Sequence, residues 1–196
     1  MLFEREGKAI TNYKTYFPVC EEDLANELTK DPYYFDFLDL RDEYDETELK
    51  KQLIKNIEDF LFELGTGFAY MGSEYRIKVG DTELHIDMLF YNTRVHAYVV
   101  IEIKTGKFRP EYVGQLGTYV VAVDHTLKTE KDEKTIGILI CKDKDNILAK
   151  YSLDSSSQPL GVSSYELSEL IPENFKSSMP TIEEIEIELK LKEKNK

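Results

Sequence analysis

The stretch HAYVVIEIKTG, residues 96–106, reads as a buried strand until Glu102 and Lys104 break its run of Val and Ile. Side chains alternate across a strand, so these two charges project from one side while Ile101 and Ile103 project from the other. A third charge, Asp87, lies in ELHIDMLFY, the neighbouring strand of a hairpin, on the face it shares with His85 and Leu89. Two carboxylates on adjacent strands suit a hard divalent cation such as Mg²⁺, which takes oxygen ligands and keeps several waters, with Mn²⁺ as a substitute. Such an ion polarises a phosphoryl oxygen and acidifies a bound water, while a nearby ammonium orients that water or stabilises developing negative charge. The trio suits hydrolysis of a phosphodiester. The plainer alternative is a solvent-facing Glu102–Lys104 pair near a strand end with Asp87 unrelated, and spacing alone leaves both open.

Competing chemistries find less support. The three histidines, at 85, 96 and 125, form no HExxH or paired-ligand spacing, which argues against a zinc hydrolase. The GTG at 65–67 follows a helix and precedes a strand, the reverse of a dinucleotide fingerprint, and no GxxxxGK[ST] or GxSxG occurs. Cys20 and Cys141 stand far apart in no metal-like spacing and read as bystanders.

The elements that must position the trio follow from hydrophobic period. DETELKKQLIKNIEDFLFELG, from Asp45, carries Leu49, Leu53, Ile57, Phe60, Leu61 and Leu64 on one stripe with Gly65 as a stop, which predicts a single helix. EYRIKV and ELHIDMLFY flank a Gly-Asp turn, and NTR leads to VHAYVVIEIK, so the centre reads as a three-strand meander. RPEYVGQLGTYVVAVDH predicts a helix with Pro in its first turn, its Gly114 and Gly117 allowing close approach to a sheet. TIGILICK and ILAKYSL read as strands, the first central. The order implies an α/β protein, a mixed sheet flanked by helices. Three regions are expected: an irregular acidic appendage at 1–45 with the aromatic cluster DPYYFDFLDL, a main domain at 46–180, and a charged tail at 181–196 read as a capped, fraying helix.

At 196 residues, with 41% hydrophobic and 12% aromatic content, the chain supports one full core. No apolar run approaches the roughly 20 residues of a membrane span, and no secretory leader is visible, so the expected compartment is the cytoplasm with no membrane partner. A net charge of −13 argues against coating nucleic acid by bulk electrostatics. The acidity lies in the flanks: residues 1–66 carry 8 basic and 17 acidic groups, whereas 67–153 carry 12 of each. A surface that tolerates phosphate is therefore available in the middle of the chain.

IDMLFYNTRVHAYVVIEIKTGKFRPEYVGQL, preceded by FLFELGTGFAYMG, resembles the carboxy-terminal nuclease domain of the bacterial YhcG-like proteins, a branch of the PD-(D/E)XK superfamily. The resemblance implies a restriction-endonuclease-like fold and a Mg²⁺-dependent nuclease acting on DNA. It places Asp87 at the motif's Asp and Glu102 and Lys104 at its E-x-K, Glu63 as the metal-binding acid of the first helix, and Gln115 as the polar residue of the following helix. Lys107 and Arg109, just beyond the E-x-K strand, become candidate contacts to nucleic-acid phosphates. A homodimer is expected if both strands of a duplex are cut. A catalytically inactive module that binds nucleic acid or a protein partner is the alternative, since a fold and its site can persist in a binding role.

Overall fold

The computed structural model describes residues 8–40 and 43–167. In chain order the elements are β1 (Ile10–Thr11), α1 (Val19–Glu27), β2 (Tyr33–Tyr34), α2 (Glu46–Lys55), α3 (Ile57–Leu64), β3 (Phe68–Val79), β4 (Thr82–Asn92), β5 (Ala97–Lys107), α4 (Pro110–Thr126), β6 (Ile136–Asp143), α5 (Asn146–Asp154) and β7 (Leu160–Glu166). The seven strands form one mixed sheet, ordered β1-β7-β6-β5-β4-β3, with β2 also pairing with β7. The meander β3–β4–β5 is antiparallel, as its two short turns require, and β5, β6 and β7 run parallel through helical crossovers. The mixed α/β architecture read from the sequence is the one observed.

Alternation along β5 sorts its residues between two cores. Ile101 and Ile103 face α2 and α3, joining Leu49, Leu53, Phe60, Met88 and Phe90. Val100 faces α4 and α5, joining Leu116, Val120, Leu139, Ala149 and Leu153. Phe60 is the hub of the first core, with Phe35 and Phe90 set edge-on at 5.7 and 6.0 Å between centroids. A ring so buried contributes about 2–3 kcal/mol. The cluster DPYYFDFL docks here as its aromatic content suggested, Tyr33 and Phe35 being fully buried. The segment before it, read as irregular, contains short elements: β1 pairs with β7, and Tyr13 and Leu28 enter the same core. Two-residue strands carry no period, so hydrophobic patterning misses them.

Three other differences from the sequence reading have local causes. The helix expected to run from Asp45 to Gly65 breaks at Asn56, whose φ of −108° and ψ of 42° leave the helical region. ILAKYSL is helix α5, because Asp145 caps its start by accepting from the amides of Ile147 and Leu148 and because Ala149, Ser152 and Leu153 are buried at helical spacing. LGVSSYE, unassigned from sequence, is β7. The glycine that lets α4 approach the sheet is Gly137 of β6, where an added Cβ would lie 2.9 Å from Leu116 and Val120. Gly114 and Gly117 instead line an open groove of about 740 Å³ along α4. The tail at 181–196 lies outside the described residues.

Candidate active site

Asp87 and Glu102 meet where β4 and β5 part. The backbone ladder between these strands runs from Asn92↔Ala97 to Met88↔Ile101. At the next position side chains replace it: the Asp87 amide donates to Glu102 Oε1 at 3.2 Å, and the Ile103 amide donates to Asp87 Oδ2 at 3.1 Å. Each acid thus fixes the other's strand. Both are buried, 6% and 2% exposed. Lys104 completes the trio with its ammonium 3.5 Å from Glu102 Oε2. The carboxylates and the ammonium that the sequence reading placed on one face are together.

Helix α2 closes the site with residues the sequence reading missed. Asp45 caps the helix through the Glu48 amide, which sets Glu46 in the first turn and Lys50 one turn on. Glu46 Oε1 accepts from Lys104 at 3.0 Å and lies 3.6 Å from the Lys50 ammonium. Lys50 donates to Asp87 Oδ1 at 2.7 Å. Glu74 approaches Lys50 at 3.5 Å from β3, where a positive φ of 45° marks a kink in the strand; departures of this kind gather at functional sites. An acid and a lysine four apart on an amphipathic helix carried a weak signal, hidden by the resemblance to an acid near the helix end.

Glu63 is held elsewhere. Its carboxylate accepts from the Tyr34 amide at 2.8 Å and its carbonyl accepts from the Lys30 ammonium. The first-helix acid that meets the trio is therefore Glu46, because the break at Asn56 puts Glu63 on a separate helix. Gln115 is exposed and donates to the Tyr119 hydroxyl at 2.8 Å. Lys107 and Arg109 are exposed and lean on Asp143 and Glu111, at 3.1 and 2.6 Å. Tyr112 joins Arg109 to the site: its ring centroid is 5.6 Å from the Lys104 ammonium and 5.9 Å from the Arg109 guanidinium.

The electrostatics ask for a cation. Burial, reinforced by the charge of Asp87, pushes the Glu102 carboxyl up to about 8 even though Lys104 pulls it down. Burial works to discharge Lys104, but its hydrogen bond to Glu46 and the charges of Glu102 and Asp87 win and hold it above the usual lysine range. Four carboxylates, Glu46, Glu74, Asp87 and Glu102, share two ammoniums, Lys50 and Lys104. Only with Glu102 ionised do the acids exceed the ammoniums by two charges, and a bound divalent ion would favour that form over the protonated one that burial favours. Among the described residues no three His, Cys, Asp or Glu side chains converge on one cation position. Asp87 and Glu102 could hold a hard divalent ion only with water completing its shell.

A carboxyl raised in the folded state costs stability as the unfolded chain ionises. The loss begins near the ordinary glutamate value of 4.5, grows with pH, and levels off above about 8. Glu102→Gln is therefore expected to melt higher than the wild type in metal-free buffer at pH 8, by roughly 5 °C for about 2 kcal/mol. The gap should close near pH 4. Equal melting temperatures across that range would show that the acid pair carries no such penalty.

A family model described as YhcG PDDEXK nuclease domain matches residues 26–180. A curated relative, "Putative nuclease YhcG" of Escherichia coli strain K12, is 29% identical over 144 residues, covering 74% of this chain and 38% of the relative. Among solved structures, one titled as an EndoMS–dsDNA2 complex is 20% identical with a TM-score of 0.42, covering 68% of this chain and 48% of that one. A repair endonuclease from Pyrococcus abyssi is 19% identical with a TM-score of 0.41, over 67% and 50%. The chain spans about half the length of these structures and less of the curated relative.

Proposed function

The chain belongs to the family of YhcG PDDEXK nuclease domains, and from that premise we propose that it is a Mg²⁺-dependent nuclease that hydrolyses phosphodiester bonds in DNA. The observation that carries this reading is the interlocked pair Asp87 and Glu102, buried and joined to the Lys104 ammonium. Those two carboxylates would hold the ion, which when bound supplies Lewis-acid polarisation of the phosphodiester and an acidified water. The Lys104 ammonium, which Glu46, Glu102 and Asp87 hold above the usual lysine range, would donate to the attacking water or to the phosphoryl oxygen. Glu46 positions that ammonium through its 3.0 Å bond. Burial of the acids keeps bulk water from screening the charge that develops.

Lys107 and Arg109 follow the site on β5 and its exit turn, and their exposed cations suit phosphates flanking the scissile bond. A homodimer would give two such sites for the two strands of a duplex. Among the described residues no helix is long and apolar enough to cross a membrane.

The test is a cleavage panel of supercoiled, linear, branched and single-stranded DNA, with an RNA of matched sequence, in Mg²⁺, in Mn²⁺ and with chelator. Cleavage of at least one DNA that chelator abolishes is the expected result. Metal-independent cleavage, cleavage of RNA alone, or an intact panel at millimolar metal would sink the reading.

A further inference from the structure

We propose that Lys50 is an internal competitor for the metal: its ammonium occupies the cation position on Asp87 and must hand that oxygen over before a divalent ion can bind. The proposal rests on the metal site described above. It begins with the two oxygens of Asp87, which are not equivalent. Oδ2 is tied to the Ile103 amide, so Oδ1 is the oxygen left to face the site, and Lys50 takes it at 2.7 Å.

An ion bound at about 2.1 Å to that oxygen would stand within a few ångströms of a fixed ammonium if Lys50 stayed. Two such charges competing for one oxygen, in a pocket where Asp87 is 6% exposed, repel, which favours metal binding with Lys50 displaced. Lys50 has somewhere to go. Glu46 Oε1 and Glu74 Oε1 lie 3.6 and 3.5 Å from its nitrogen, just outside good hydrogen-bonding distance. A rotation of the flexible lysine stem exchanges Asp87 for these two acids without exposing an unpaired charge. Lys104 competes less directly, since its hydrogen bond goes to Glu46 at 3.0 Å and it stands 3.5 Å from Glu102.

The consequence is thermodynamic. Metal binds only the fraction of molecules in which Lys50 has left Asp87, so the apparent affinity is lower than the intrinsic one by that fraction. Lys50 also supplies the counter-charge that keeps the buried acids together when metal is absent. It therefore sets the metal concentration at which the site fills.

Titration of the full chain with Mn²⁺, followed by calorimetry and by the loss of the free-ion EPR signal, tests this without reading cleavage. Lys50→Met keeps the helix-forming stem and removes the charge. It should bind Mn²⁺ on the order of ten- to a hundredfold more tightly than the wild type, and its metal-free form should melt at a lower temperature. Lys50→Gln gives the same reading if the Met variant does not fold. Lys50→Arg keeps the charge and should gain no affinity. Wild-type binding with equal or weaker binding in both neutral variants would overturn the competitor role alone. Silence in wild type and variants at millimolar Mn²⁺ would overturn it together with the metal site.

Discussion

Asp87→Ala is expected to abolish DNA cleavage, with a fall in rate on the order of a thousandfold or more, and to weaken Mn²⁺ binding in parallel. The two losses belong together because Asp87 holds one of two carboxylates that would face the ion. A second consequence comes from the fold. Asp87 Oδ2 also accepts the Ile103 amide, so Ala leaves that buried donor unpaired and lets β4 and β5 drift where Glu102 must be held. Asp87→Asn separates these effects. The amide oxygen can still accept from Ile103 while the charge is gone, so stability should recover toward wild type and cleavage should not. Single-turnover cleavage and calorimetric titration of the three proteins decide it. An Asp87→Asn protein that cuts at the wild-type rate would remove Asp87 from the chemistry.

What could be read from the sequence was the part governed by long periods and short turns. The meander β3–β4–β5, helix α4 and central strand β6 each present many residues to one core, so their hydrophobic pattern is redundant and survives local exceptions. Asp87, Glu102 and Lys104 were legible because the hairpin sets their strands side by side, although alternation on β4 fails beside Asp87, where Ile86, expected with Met88 and Phe90, joins Leu89 in the opposite core. Glu46 and Lys50 were not. Their place in the site depends on where α2 stops and how it crosses the sheet, and the stop is a single residue, Asn56, inside a stripe that reads as unbroken. The apolar positions Leu53, Phe60 and Leu64 are buried on both sides of that break, so patterning cannot see it. The strand β7 was missed because LGVSSYE holds three residues that favour turns as often as strands, and it is its place beside β6 that commits them. Short edge pairings such as β1 and β2 are likewise set by tertiary context, not by local propensity.

Lys104→Ala should separate binding from catalysis. The lysine stands 3.5 Å from Glu102 and 3.0 Å from Glu46, close enough to repel an ion held by the acid pair. Removing it should leave Mn²⁺ affinity unchanged or tighter, while the single-turnover rate falls on the order of a hundredfold or more, the mark of a charge that acts mainly in the transition state. Lys104→Arg is expected to restore little, because a planar guanidinium cannot sit as a compact ammonium does between Glu46, Glu102 and the Tyr112 ring. Glu46→Gln should reproduce part of the rate loss with Lys104 intact, since Glu46 orients the ammonium and helps keep it charged. The pair of variants gives the outcome its meaning. A rate loss in both, larger for Lys104→Ala and with metal affinity retained, fits an ammonium delivered by α2 to the reacting phosphate. Wild-type cleavage by Lys104→Ala would reduce Lys104 to an ion-pair partner of two acids, and the charges at the end of β5 would then serve only to hold the strand.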